Sequence, residues 1–267
     1  FNFRELRRAL EAAGCVFRSQ CDTEVLLAGY RVWGEEVVNR LRGMFGFALW
    51  DEAGQTLLLA RDRLGIKPAY YFEGPGRFLF ASELRAILAS GLVDRSLDPT
   101  GLDSFLKFGA VQEPATMIRG IRLLPAGHLL RWREGRSELK RYWSLPAEQI
   151  SANGSPREKA RLIEEVCNSL SEAVHMRLVS DVPLGIFLSG GLDSSVVATL
   201  AARGVDSVQT FNITFSEAQF AEGVKARRVA QHIGAEHHEL TFSEKDLLAA
   251  LPDALAAMDQ PTVAGIN

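Results

Sequence analysis

The sequence predicts two domains of different class, a layered α+β domain followed by an α/β domain with a parallel sheet. Three observations lead to this prediction. Residues 1–143 combine helical periodicity with paired apolar runs that are typical of hairpins. Residues 157–267 alternate strands with helices, as βαβ units do. Residues 144–156 lie between them and are rich in Pro, Gly and small polar residues, so we interpret them as a linker.

Helical and hairpin patterns follow one another in the first domain. Apolar residues recur at helical spacing over residues 3–13 and predict a helix there. Asp22 is predicted to be the N-cap of a second helix. Two apolar runs, at 44–50 and 56–60, flank an acidic turn that contains Gly, at 51–54. This arrangement predicts a β-hairpin.

More strands are expected further along the first domain. Residues 69–73 and 77–81 are apolar runs on either side of Gly74-Pro75-Gly76. A second hairpin is predicted over 126–142, with its turn at Glu134-Gly135. Several strand pairs interleaved with helices give the first domain its predicted layered character.

The second domain shows a regular alternation of elements. Its predicted elements are a helix over 157–179, a strand over 182–188, a helix from Ser194, a strand over 207–214, a helix over 220–233, a strand over 236–241 and a helix over 245–258. Helices between successive strands allow those strands to pair in parallel. We therefore expect one parallel sheet, with the strand over 182–188 as its first strand.

Composition excludes several classes of protein. Of the 267 residues, 47% are hydrophobic and 24% are charged, as in an ordinary globular protein. The net charge of −3 disfavours a dedicated nucleic-acid binder. Apolar runs fall short of the roughly 18–20 residues that a membrane span needs. The three cysteines, Cys15, Cys21 and Cys167, are interpreted as structural thiols in a reducing cytoplasm. We expect a cytoplasmic protein without nucleic-acid or membrane partners.

A Gly-rich loop separates the first strand of the second domain from the helix after it. Its residues are Leu188, Ser189, Gly190, Gly191, Leu192, Asp193, Ser194 and Ser195. Adjacent glycines let the backbone approach a ligand, and a helix N-terminus favours an anion. An acidic residue in such a site is explained by Mg²⁺ held between the Asp193 carboxylate and phosphate oxygens. The alternative is a Ser/Asp helix cap with Asp193 exposed.

The motifs of both halves resemble one enzyme family. Residues 189–194 resemble the pyrophosphate loop of ATP pyrophosphatases, which split ATP between its α and β phosphates. Residues 181–195 resemble glutamine-dependent asparagine synthetases of the bacterial type. Residues 43–48, 60–68 and 80–84 resemble the class II glutamine amidotransferase domain of the same enzymes. The resemblance implies an Ntn-type layered amidotransferase domain followed by an ATP-pyrophosphatase domain.

This resemblance also implies roles for individual residues. The implied ATP contacts are Leu188, Ser189, Gly190, Gly191, Asp193, Ser194, Ser195 and Ile213. Asp193 is the implied ligand of Mg²⁺. Asp22, within Gln20-Cys21-Asp22-Thr23-Glu24, matches the Asp that holds the α-amino group of glutamine. A helix cap is the alternative role of Asp22.

The sequence departs from the family pattern in places. The family's nucleophile is an N-terminal Cys, and none of the three cysteines matches it. The family's glutamine-binding Asn-Gly-Glu segment has no match either, and both features are expected upstream of Phe1. We therefore interpret the sequence as an internal piece of a longer protein and expect this chain alone to lack glutaminase activity. Asp259-Gln260-Pro261 resembles the family's Asp-Glu-Pro turn with Gln for Glu, and Ala264 stands where Asp is usual.

The function that the resemblance implies is an ATP- and glutamine-dependent amidation of a carboxylate through an acyl-adenylate. Aspartate would become asparagine, with release of AMP, pyrophosphate and glutamate. The implied substrates are glutamine, ATP and aspartate, with Mg²⁺ as cofactor and a homodimer as one assembly state. The alternatives are an amidotransferase with another carboxylate acceptor, tRNA thiolation or lysidine synthesis, and a non-catalytic paralogue or scaffold.

Overall fold

The computed structural model describes residues 2–146, 155–205, 207–215 and 223–263. The chain divides into two compact units, which are Phe1–Ala147 with Ala254–Asn267 (unit 1) and Glu148–Asp253 (unit 2). Most of the predicted linker over 144–156 lies outside the described residues, so the linker remains a prediction. Among the residues that are described, no helix has the length and apolar character needed to cross a membrane.

Unit 1 contains short helices and two sheets. Its helices are α1 (Phe3–Ala12), α2 (Asp22–Trp33), a 3₁₀ turn (Gly34–Glu36), α3 (Val37–Arg40), α4 (Leu84–Ala89) and α5 (Pro99–Phe108). Its strands are β1 (Gly46–Asp51), β2 (Thr56–Arg61), β3 (Tyr70–Gly74), β4 (Arg77–Ala81), β5 (Ile121–Leu123), β6 (His128–Arg133) and β7 (Arg136–Arg141). Both predicted helices and all the predicted strands of this unit are confirmed, whereas the 3₁₀ turn, α3, α4, α5 and β5 are additions.

The sheets of unit 1 are antiparallel. One has the order β1-β2-β6-β7 and the other the order β4-β3-β5. Successive side chains of a strand point to opposite faces, so β2 can pack on two sides. Leu58 packs with Val38 of α3, whereas Leu59 packs with Tyr71 of the second sheet. Helical residues therefore cover one face of the four-stranded sheet, and the three-stranded sheet packs against the other.

Unit 2 contains the alternating elements. They are α6 (Pro156–Arg177), β8 (Gly185–Phe187), α7 (Leu192–Ala202), β9 (Gln209–Phe215), α8 (Gly223–Ile233) and β10 (Glu236–Phe242), followed by α9 (Glu244–Ala257), whose last residues are assigned to unit 1. The strands pair in parallel in the order β10-β9-β8, which confirms the predicted parallel sheet. Leu188 packs with Ala198 of α7 and Ala226 of α8, so alanines let both helices lie close to the sheet.

The elements on either side of the Gly-rich loop differ in their bounds from the predictions. The strand predicted over 182–188 is only three residues long in the structure. The helix predicted from Ser194 begins two residues earlier, at Leu192, and Gly191 is its N-cap. Asp193 therefore lies within the first turn of α7.

Candidate functional site

The Gly-rich loop joins β8 to α7 in unit 2, and its first glycine is required by both conformation and space. Gly190 has φ of +76°, a region that side-chain-bearing residues rarely adopt. A Cβ atom on Gly190 would lie 2.6 Å from the backbone N of Ala226 in α8. The loop can thus turn sharply while in contact with α8.

Serine hydroxyls stabilise the loop from within. The Oγ atoms of Ser189 and Ser194 are 3.0 Å apart, and Ser189 Oγ accepts a hydrogen bond from the N–H of Gly191 at 3.3 Å. Ser195 Oγ donates to the carbonyl of Gly191 at 2.6 Å. These bonds connect the start of the loop to the first turn of α7. All the implied phosphate-loop residues thus come together in one compact turn.

The N-terminus of α7 has unused hydrogen-bond donors. Ser195 is the first residue whose N–H bonds back to the loop, to the Gly191 carbonyl at 3.1 Å. Within the described residues, the N–H groups of Leu192, Asp193 and Ser194 have no backbone acceptor. Free N–H groups and the helix dipole both favour an anion at this place. The 11-residue helix can therefore bind phosphate oxygens.

Asp193 projects its carboxylate from the first turn of α7 into solvent. The N-cap position belongs to Gly191 and has no side-chain cap, so Asp193 does not cap the helix. No described residue hydrogen bonds or ion-pairs with its side chain, and the described residues contain no group of three metal-ligating side chains. Mg²⁺ is commonly held by one or two carboxylates together with substrate phosphates. A single free carboxylate beside an anion site fits that donor set.

The other two implied ATP contacts flank the loop. Leu188 is 1% exposed, and its N–H donates to the carbonyl of Phe211 at 2.8 Å. Its carbonyl accepts from Nδ2 of Asn212 at 2.8 Å. Ile213, on the neighbouring strand β9, is 51% exposed. Leu188 thus anchors the loop to the sheet, whereas Ile213 presents an apolar side chain to solvent.

Asp22 lies in unit 1, on the wall of a cavity of about 550 Å³. The predicted N-cap role of Asp22 is wrong, because the helix begins at Asp22 itself and Cys21 occupies the cap position without a side-chain cap. The Asp22 carboxylate has only long contacts, 3.5 Å to Thr23 Oγ1 and 3.6 Å to Cys21 Sγ. It is exposed and available to a cationic ligand group.

Glu24, for which the sequence predicts no role, hydrogen bonds to the segment before Asp22. Its carboxylate accepts from the N–H of Arg18 and of Ser19, both at 2.8 Å, and from the Ser19 hydroxyl at 2.6 Å. These hydrogen bonds, chiefly that of the Ser19 hydroxyl, lower the pKa of Glu24. The same hydroxyl accepts from the N–H of Cys21 at 3.2 Å, so the clamp extends to the residue beside Asp22.

Two buried residues that are neighbours in sequence, Arg61 and Asp62, hold the backbone of another wall of the cavity. Asp62 is 1% exposed, and its carboxylate accepts from the N–H groups of Phe45 at 3.2 Å and Lys67 at 2.9 Å. Arg61 donates to the carbonyls of Gly65 and Lys67. Phe45 and Lys67 both line the cavity, whereas Arg61 and Asp62 do not, so these two residues position the backbone of the wall from behind it.

Comparison with known proteins identifies both halves. Residues 1–143 match the family model of the glutamine amidotransferase domain, and residues 165–266 match that of asparagine synthase. The chain is 35% identical to asparagine synthetase (glutamine-hydrolyzing) 3 of Bacillus subtilis (strain 168), over 100% of this chain and 45% of that protein. It is 34% identical to asparagine synthetase (glutamine-hydrolyzing) 1 of the same strain, over 98% of this chain and 40% of that protein.

A fungal relative is named an amidase instead of an asparagine synthetase. Amidase chyE of Penicillium rubens is 34% identical, over 90% of this chain and 37% of that protein. The chain spans less than half the length of each of these three relatives. A family model covers more than half of the chain, and a second model covers much of the remainder. The chain therefore belongs to the glutamine amidotransferase family, in the arrangement in which an asparagine synthase domain follows the amidotransferase domain.

Proposed function

We propose that the whole protein is a glutamine-hydrolysing asparagine synthetase. It uses ATP to adenylate the side-chain carboxylate of aspartate, and ammonia from glutamine then displaces AMP. The observation that carries this proposal is the free helix N-terminus of α7 beside an unpaired Asp193, in one chain with an amidotransferase domain. The names of the two Bacillus relatives support the same reaction.

The residues of unit 2 would act mainly by electrostatics. The N–H groups at the start of α7 bind phosphate oxygens, and the loop serines place hydroxyl donors beside them. Asp193 holds Mg²⁺, which supplies positive charge to the departing pyrophosphate. Because hydrogen bonds hold the loop backbone and its serines before the substrate binds, these donors need little reorganisation during the reaction.

The residues of unit 1 would bind glutamine. The Asp22 carboxylate pairs with the α-ammonium group, since it lies on the cavity wall and is not used as a helix cap. The helix–sheet–sheet packing of this unit supports the Ntn-type layering that the resemblance implies. We further propose a domain boundary within 144–156, a cytoplasmic location and a homodimer, whose mass light scattering would measure.

Replacement of Asp193 by Asn tests the proposal. The change keeps the size of the side chain and removes its charge. Asp193→Asn should slow pyrophosphate release by about 10²–10³, or about 3–4 kcal/mol of transition-state stabilisation. Release is measured in the whole protein with free ammonia as nitrogen donor, so that glutamine hydrolysis is bypassed. The folded state should be unaffected, because no described residue bonds to this side chain.

Asp253→Asn is the matched control, because it removes an exposed carboxylate of α9 outside the loop. It should leave the rate unchanged. A rate within threefold of wild type for Asp193→Asn would contradict the proposed role of Asp193. The same assay with other carboxylates in place of aspartate identifies the acceptor.

A further inference from the structure

Asn212 is a buried polar residue in the middle strand of the unit 2 sheet. It is 5% exposed, and its Nδ2 donates to the carbonyl of Leu188 at 2.8 Å. Its Oδ1 is fully buried and has no hydrogen-bond partner among the described residues. A buried acceptor without a partner destabilises a fold, and in a native structure it calls for an explanation.

The Asn212 amide replaces a backbone hydrogen bond at the point where β8 ends. The parallel pairing of β8 and β9 includes Phe187 with Phe211 and continues through the Leu188 N–H, which donates to the Phe211 carbonyl. Within the described residues, no backbone N–H donates to the carbonyl of Leu188. The Nδ2 of Asn212 donates to that carbonyl instead. Ser189, the residue after Leu188, begins the phosphate loop.

Leu188 is consequently fixed in three ways. Its N–H and its carbonyl are both bonded to β9, and its side chain is packed among Ala198 and Ala226. The loop therefore leaves the sheet from a rigid residue. Two residues after Leu188, Gly190 lies against α8. The start of the loop and its first turn are therefore both constrained.

Stability alone does not account for an asparagine at this place. Leu has a similar volume and would remove the unpartnered Oδ1, but it would leave the buried carbonyl of Leu188 without its donor, so the two changes roughly offset each other in stability. We propose that Asn212 is a positioning residue of the nucleotide site, which holds the Leu188 carbonyl and thereby sets the geometry of residues 189–195. This inference rests on the proposed function, since it assigns ATP to that loop.

The test compares Asn212→Leu with Thr210→Val in the whole protein. Thr210 lies on the same strand and is fully buried, but its hydroxyl contacts His237 at 2.8 Å rather than the loop. Asn212→Leu should weaken ATP–Mg²⁺ binding about tenfold, the effect of losing one well-placed hydrogen bond, with a melting temperature close to that of wild type, because one unpartnered buried acceptor replaces another. Thr210→Val should lower the melting temperature and leave ATP binding unchanged.

The outcomes distinguish the positioning role of Asn212 from the proposed function of the whole protein. Calorimetry measures ATP–Mg²⁺ binding, and pyrophosphate release gives KM for ATP and kcat. Binding by Asn212→Leu within twofold of wild type would overturn the positioning role while the proposed function stands. Absence of ATP binding by the wild-type protein would overturn both. If Asn212→Leu does not fold, Asn212→Ala decides by the same criterion, because a smaller side chain also removes the donor without crowding the core.

Discussion

Asp22 and Glu24 lie two residues apart at the start of α2, and the structure uses their carboxylates differently. The Glu24 carboxylate accepts hydrogen bonds from the N–H groups of Arg18 and Ser19 and from the Ser19 hydroxyl, whereas the Asp22 carboxylate makes only long contacts. A carboxylate that accepts several hydrogen bonds is a structural clamp, and one that is left exposed can bind a cation.

The depressed pKa of Glu24 gives a pH prediction. Since the pKa in the folded state lies below the ordinary value of 4.5, the clamp stabilises the loop at pH values above 4.5. That stabilisation is lost as the pH falls through the folded-state pKa. NMR signals of the Arg18 and Ser19 amides should therefore shift with a midpoint below 4.5. Glu24→Gln should abolish this transition, and a midpoint at or above 4.5 would contradict the clamp.

Asp22 gives a second prediction at the scale of a residue. Asp22→Asn keeps the shape of the side chain and removes the charge that would pair with the α-ammonium group of glutamine. In the whole protein, KM for glutamine should rise about tenfold or more, as expected for a lost charge-assisted hydrogen bond. Synthesis from free ammonia should remain at the wild-type rate. Equal loss of both activities would instead assign Asp22 a role in folding.

Helix α4 depends on a residue far away in the sequence. Asp259 accepts from the N–H of Leu84 at 2.7 Å and of Arg85 at 3.0 Å, in the first turn of the helix. Within the helix itself, Glu83 occupies the cap position without a side-chain cap. Asp259 therefore acts as a distant cap, and its negative charge is favourable at a helix N-terminus.

Removal of this distant cap should destabilise unit 1. Asp259→Ala should lower its free energy of unfolding by about 1 kcal/mol, the usual effect of losing a cap. Asp259→Asn keeps an acceptor and should lower it by less. Urea denaturation monitored by tryptophan fluorescence measures the difference. An Ala variant as stable as the Asn variant would contradict the capping role.

Helix α5 shows how packing can reverse a helix propensity. Gly101 lies in its first turns, where Ala would be favoured by up to about 1 kcal/mol. A Cβ atom at this position would lie 2.1 Å from the carbonyl oxygen of Thr116. Gly101→Ala should therefore destabilise unit 1 by about 1–3 kcal/mol, as overpacking does. In Gly29→Ala of α2 the nearest atom is a side-chain methyl of Val37, which can move, so the loss should be smaller.

At the scale of the whole molecule, the two units are expected to respond to different ligands. The proposed phosphate loop lies entirely in unit 2, and the cavity beside Asp22 lies entirely in unit 1. ATP–Mg²⁺ at 100 times its Kd should stabilise unit 2 by about 2.7 kcal/mol. Hydrogen exchange should slow in β8 and α7 and stay unchanged in β1 and β2. Equal protection of both units would contradict separate sites.

The sequence by itself determined the elements that local patterns encode. The hairpin of β1 and β2 follows from two apolar runs around an acidic turn, and the parallel sheet follows from the alternation of strands and helices. The Gly-rich loop was recognisable because its glycines, serines and Asp193 are adjacent. Helix α5 also carries local signals, with Asp98 as its N-cap and Gly109 after its last residue, although its apolar spacing did not predict a helix.

Only the tertiary structure decided which residues support the site. The Asn212 amide reaches a carbonyl 24 residues away, and Asp259 caps a helix that begins 175 residues earlier. It also decided that Asp22 does not cap α2, since cap geometry depends on backbone angles that the residue type alone does not set. Contacts between segments distant in sequence leave no local periodicity, because the burial and hydrogen bonding that select each residue arise only once the chain has folded.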